Sequence, residues 1–77
     1  MTWEHRVVKH EHGFGIREVF YNKDGTIYSW TVDDMAPFGE TLEDMQEIID
    51  WMKAASSKPI LEEVIINNKE ELVEYGN

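Results

Sequence analysis

The chain has 77 residues, no cysteine and a net charge of −9 from 7 Lys+Arg and 16 Asp+Glu. That length makes residues 1–77 a single domain that buries only about 60–65% of the surface its unfolded form exposes, and it leaves little room for a deep cavity. Disulfides and thiolate metal sites are excluded, and the longest apolar runs fall far short of a membrane span.

With 42% hydrophobic residues, the composition is that of a folded globule and not of a disordered tail. The N-terminal MTWEHRVV has no basic segment followed by an apolar one, so a cytoplasmic location is expected. The charge is uneven. Residues 1–39 carry four basic and six acidic side chains, a net of −2, and residues 40–77 carry three basic and ten acidic, a net of −7. Such a surface repels nucleic acid and anionic membranes and attracts basic proteins.

In chain order, Thr2–Lys9 reads as a first strand, with Trp3, Val7 and Val8 as β-formers. A turn follows around Gly13 and Gly15, and Ile16–Asn22 is a second strand. Asn22-Lys23-Asp24-Gly25-Thr26 predicts a hairpin in which Gly25 takes the left-handed position of a G1 bulge. Thr26–Asp33 is the third strand. With Asn22 facing Thr26, one sheet face carries Ile16, Glu18, Phe20, Tyr28, Trp30 and Val32 and is expected to be the core face. The other carries Arg17, Val19, Tyr21, Ile27, Ser29 and Thr31.

Thr41, with Asp44 three residues on, predicts a capped helix over Leu42–Ala55. Leu42, Met45, Ile48, Ile49, Met52 and Ala55 share one stripe, Glu43, Glu47 and Asp50 lie opposite, and Trp51 sits on the boundary. Pro59 follows the helix end. Ile60–Ile66 suits a fourth strand or a helix, and Asn68 with Glu71 suggests a short helix over Lys69–Tyr75. The expected fold is therefore α+β: a three- to four-stranded antiparallel sheet, one amphipathic helix on one face, and a short C-terminal element.

Chemical motifs are sparse. His10 and His12 share a strand face about 6.5–7 Å apart along the backbone, a spacing that can serve a metal, but His5 and Glu11 fall on the wrong parity for a third ligand. There is no nucleophile motif, Gly13-Phe14-Gly15 lacks the rest of a phosphate loop, and Asp33-Asp34 point to opposite faces if extended. No catalytic, cofactor-binding or metal residues are assigned. Nine aromatics exceed what one small core side needs, so Val19, Tyr21 and Ile27 on the spare sheet face are expected to meet a partner or a second copy. Glu43, Glu47, Asp50 and Trp51 form a candidate acidic docking face, with a row of carboxylates that mimics nucleic acid.

The block Arg17-Glu18 with Val19, Phe20, Tyr21 and Asp24-Gly25, then Trp30-Thr31, then Ala36-Pro37-Phe38-Gly39-Glu40-Thr41-Leu42-Glu43-Asp44, resembles short acidic bacterial and phage proteins of unassigned function. The likeness runs from about Gly15 to Leu61 and implies no activity. More distantly, three strands followed by Gly39-Glu40-Thr41-Leu42-Glu43-Asp44 and an amphipathic helix resemble the N-terminal domain of HicB-type antitoxins. That likeness implies a partial RNase H-like fold and neutralisation of a small basic RNA-cleaving toxin.

The functional expectation is a non-enzymatic protein-binding module for a basic, nucleic-acid-handling partner. It takes the concrete form of a phage-type inhibitor (anti-CRISPR or anti-restriction) or an antitoxin-like neutraliser, with no cofactor and no direct nucleic-acid or membrane binding. The alternatives are a metal binder or small enzyme through His10 and His12, and a purely structural homodimer.

Overall fold

A computed structural model describes residues 2–76. Five strands and one helix follow in the order β1 (Thr2–His10), β2 (Gly13–Tyr21), β3 (Ile27–Trp30), α1 (Leu42–Ala55), β4 (Leu61–Ile66) and β5 (Lys69–Glu74). The sheet order is β3-β2-β1-β4-β5. All neighbours are antiparallel except β1 and β4, which pair in parallel with Val8 beside Leu61. The fold is α+β as expected, but the sheet is mixed and has five strands. The cause is α1: it is the crossover between β3 and β4, which run the same way, and a parallel pair requires such a connection in place of a tight turn.

The helix has the expected bounds. Thr41 is extended and its Oγ1 accepts from the Asp44 N–H at 3.1 Å, which satisfies one orphan donor of the first turn. At the other end the Ser56 and Ser57 hydroxyls donate to the Lys53 and Ala54 carbonyls at 2.7 and 2.8 Å. Met52 and Ala55 are buried against β1, while Leu42 and Ile49 of the same stripe stay exposed.

Two turns decide the rest. At Asn22–Thr26 the expected loop forms: Asn22 N–H donates to Thr26 O at 2.8 Å, and Gly25 takes φ +87°. Tyr21 pairs with Ile27, but Phe20 then pairs with Ser29 and Val19 with Trp30, because a bulge interrupts the register at this point. Trp30 therefore leaves the Phe20 face and joins Val19, Tyr21 and Ile27. The second turn is Asn67-Asn68, with φ +53° and +63°. Two successive left-handed residues make a primed hairpin turn, so Lys69–Glu74 is a strand paired with β4, and the short helix expected there does not form.

The face carrying Val19 is not open. The sheet curls over it, nearly to a barrel, until Trp30 of β3 donates its Nε1–H to Glu63 of β4 at 2.9 Å across the two intervening strands. Val8, Val19 and Leu61 form the buried centre, with Tyr21, Ile27, Trp30 and Leu72 packed around them. The helix covers the opposite face, where His5 is buried and meets Trp3 edge-on at 5.2 Å. Tyr28 and Val32, expected in the core, are exposed.

Candidate functional site

Helical periodicity places Glu43, Glu47 and Asp50 along one exposed side of α1. None of the three, nor Glu40, forms an ion pair among the described residues. Trp51, 48% exposed, stands between two clefts. One, of about 420 Å³, is lined by Phe38 and Trp51 together with the carboxylates of Glu40, Asp44 and Glu47. The other, of about 380 Å³, lies between Trp51 and Ala54 of the helix and Trp3 and His5 of β1. Phe38 is 75% exposed. Its loop reaches the helix through Gly39, where an added Cβ would stand 2.5 Å from the Met45 backbone nitrogen, so a side chain at 39 would push Phe38 and Glu40 away from Trp51.

Aromatic faces bordered by carboxylates suit a cation. A lysine or arginine side chain stacks on an indole and pairs with an acid at the same time.

The inner charges are arranged differently. Arg17, its side chain 6% exposed, donates from Nε to Asp34 at 2.9 Å and from Nη1 to the Thr31 carbonyl at 3.0 Å, and Glu63 lies 3.7 Å away. The Arg17 hydrogen bond, with a smaller contribution from His10, holds the Asp34 carboxyl below its ordinary value despite partial desolvation. The Asp34 carboxylate fills the space above Gly15 where a side chain would otherwise stand. Further along the sheet, Arg6 donates to Tyr21 Oη at 2.9 Å and to the Pro59 carbonyl at 2.6 Å, and Tyr21 donates to Glu4 at 2.7 Å. Lys58 pairs with the other Glu4 oxygen at 2.5 Å. Desolvation raises the Glu4 carboxyl, but hydrogen bonds from Lys58 and Tyr21 and the two nearby cations outweigh it and leave it lowered. Desolvation, then the bond to Glu4, raises the Tyr21 hydroxyl.

The histidines belong to this inner system. The His12 backbone N–H donates to His10 Nδ1 at 3.2 Å, which requires that nitrogen to be unprotonated. The ring proton is then on Nε2, facing Asp34 at 3.1 Å. Both ring nitrogens of His10 are thereby engaged within the fold. His12 is exposed and turns to Glu11, 3.3 Å away. Among the described residues, no group of three or more His, Cys, Asp or Glu side chains is placed to hold a metal ion.

Of the seven candidate interface residues, the structure brings Glu43, Glu47, Asp50 and Trp51 together on the surface of α1. It separates them from the other three. Val19 is 0% exposed, and Tyr21 and Ile27 pack around it inside the curled sheet, so the Val19 side chain has no surface to offer a partner. Phe38 and Glu40 were not assigned from sequence. The available signal was Gly39, next to the helix cap.

No helix among the described residues is long and apolar enough to cross a membrane. Comparison with protein families, curated proteins and solved structures finds no match for this chain.

Proposed function

We propose that this chain is a small, non-enzymatic binding module that docks a basic protein through the outer face of α1. The reading rests on one observation. Among the described residues Glu40, Glu43, Glu47 and Asp50 have no ion-pair partners, and Glu40 and Glu47 line a cleft with two exposed aromatics, Phe38 and Trp51. An unpaired acidic face costs a small domain self-repulsion and contributes nothing to its packing. A lysine or arginine of the partner seats between Phe38 and Trp51, and the carboxylates steer it there.

A nucleic-acid-handling protein is the partner class with such a surface, since its groove for phosphates accepts a carboxylate row. The likeness to HicB-type antitoxins rests on Gly39–Asp44 and on the strand–strand–strand–helix order, and that order is the one this chain has before β4. That order supports a neutraliser of the antitoxin or phage-inhibitor kind.

The test is capture of basic proteins by the immobilised chain at low and moderate salt, beside the Trp51→Ala variant. Binding that weakens with salt and drops about tenfold in Trp51→Ala supports the docking face. Capture indifferent to both removes it.

A further inference from the structure

The cleft between β1 and α1 is built from polar rings that the fold leaves unpaired. Trp3 and His5 line it from the strand, Trp51 and Ala54 from the helix. His5 is 6% exposed. Its ring meets Trp3 edge-on but forms no hydrogen bond or ion pair among the described residues. Among those residues the one fully enclosed side-chain nitrogen or oxygen without a partner is Arg6 Nε, so the His5 ring nitrogens are not sealed in. They reach the surface where His5 lines the cleft.

The walls carry the same signature. Trp30 gives its indole N–H to Glu63, whereas the indole N–H groups of Trp3 and Trp51 have no acceptor among the described residues. These two indoles make no ring contact with each other. The space they border with His5 is about 380 Å³, near the lower end for a small-molecule site. The charges at its mouth are already used: Lys58 pairs with Glu4, and Glu4 also accepts from Tyr21.

We propose that this cleft binds one neutral phenol ring, its face or edge against the Trp3 and Trp51 indoles and its hydroxyl on the His5 imidazole. Flat aromatic walls favour an aromatic ring in offset or edge-on contact. A buried polar ring without a partner carries a desolvation cost that a hydrogen bond from the ligand offsets. A neutral imidazole has one N–H and one acceptor nitrogen, and a hydroxyl, which both donates and accepts, satisfies either. A carboxylate only accepts, and it would enter the field of a chain with a net charge of −9. An ammonium only donates, and it would meet the like charge of Lys58. The cleft shares Trp51 with the acidic cleft beside Phe38 but none of its carboxylates, so the phenol site and the basic-protein face fail separately.

NMR titration of the full chain with 4-methylphenol tests the proposal, with toluene as the analogue that lacks the hydroxyl. Saturable shifts are expected at the His5 ring and at the indole N–H groups of Trp3 and Trp51, with Trp30, held by Glu63, unmoved. Toluene should bind about tenfold more weakly or worse, because it leaves His5 unpaired. His5→Phe should abolish that preference, so that the two probes bind alike. Should that variant fail to fold, the comparison of probes on the unaltered chain decides alone. A tyrosine in a short neutral peptide is the third probe. Binding about tenfold tighter than 4-methylphenol assigns the ring to a partner's tyrosine, and equal or weaker binding assigns it to a small molecule. Four results overturn the proposal: no saturable shift, equal affinity for 4-methylphenol and toluene, shifts that spare His5 and gather at Phe38, or a preference for the hydroxyl that survives His5→Phe.

Discussion

The inside of the curled sheet and the outside of the helix are built from the same charged residue types, and the two regions use them in opposite ways. Inside, Arg6, Arg17 and Lys58 are matched to Glu4, Asp34 and Glu63. Three of the seven cations are thereby committed to the fold. Outside, Glu40, Glu43, Glu47 and Asp50 form no ion pair among the described residues. Buried charge must be paired or it destabilises strongly, so partners for the largely buried Arg6 and Arg17 are a condition of folding, while Glu4 and Asp34, with Lys58 on Glu4, reach them from the half-exposed rim. No such requirement acts on the outer row, whose field extends about 8–10 Å into physiological salt. The difference separates residues that hold the molecule together from residues free to meet another one.

The contrast can be broken at several points. Leu61→Ala empties the interior beneath the curled sheet and should cost about 2–5 kcal/mol by denaturant unfolding. Ile49→Ala, on the exposed flank of the helix stripe, should cost far less. Equal losses would place the core elsewhere.

Asp34→Ala leaves Arg17 with the Thr31 carbonyl and the more distant Glu63, and should cost about 1–3 kcal/mol. The same change should free His10 Nε2, visible as displaced ring resonances of His10 by NMR.

The inner carboxylates also set an acid limit. Asp34 and Glu4 have lowered folded-state values. Their contribution is therefore complete above the ordinary carboxylate range near pH 4 and is lost as the pH falls through their folded values. Unfolding free energy should fall below about pH 4, and the fall should shrink in Asp34→Ala. An unchanged pH profile in that variant would contradict the pairing.

At the small end, Asn68→Gly relieves one left-handed residue of the β4–β5 turn and should stabilise by a few tenths to about 1 kcal/mol. A loss there would argue against the primed turn.

The helix was the most legible part of the chain, because its signals are local. Thr41, the apolar stripe and Pro59 lie within one segment, and they set both its bounds and the outward side of Glu43, Glu47 and Asp50. The Asn22–Thr26 loop was legible for the same reason. What local signals cannot carry is the bulge beside Tyr21. It transfers Trp30 to the inner face, where its reward is a hydrogen bond to Glu63, distant in sequence. The curl of the sheet likewise joins strands distant in sequence, β3 with β4 and β5, and so the burial of Val19 was unreadable. The last hairpin was a competition between two short signals. Asn68 and Glu71 have the spacing of a helix cap, but Asn67-Asn68 between two strand-forming runs takes a primed turn, and pairing with β4 decides between them. At the candidate site, Phe38 and Glu40 escaped notice because their position depends on how closely Gly39 lets the loop approach α1.

The claim that the outer acidic row serves a partner and not the fold is tested most directly by Glu43→Lys, Glu47→Lys and Asp50→Lys combined. Partner capture is measured at low salt beside the unaltered chain, with unfolding as the control. The account predicts that stability changes by no more than about 0.5 kcal/mol per site, while capture of basic proteins is lost. Capture that survives the reversal at unchanged stability would contradict it.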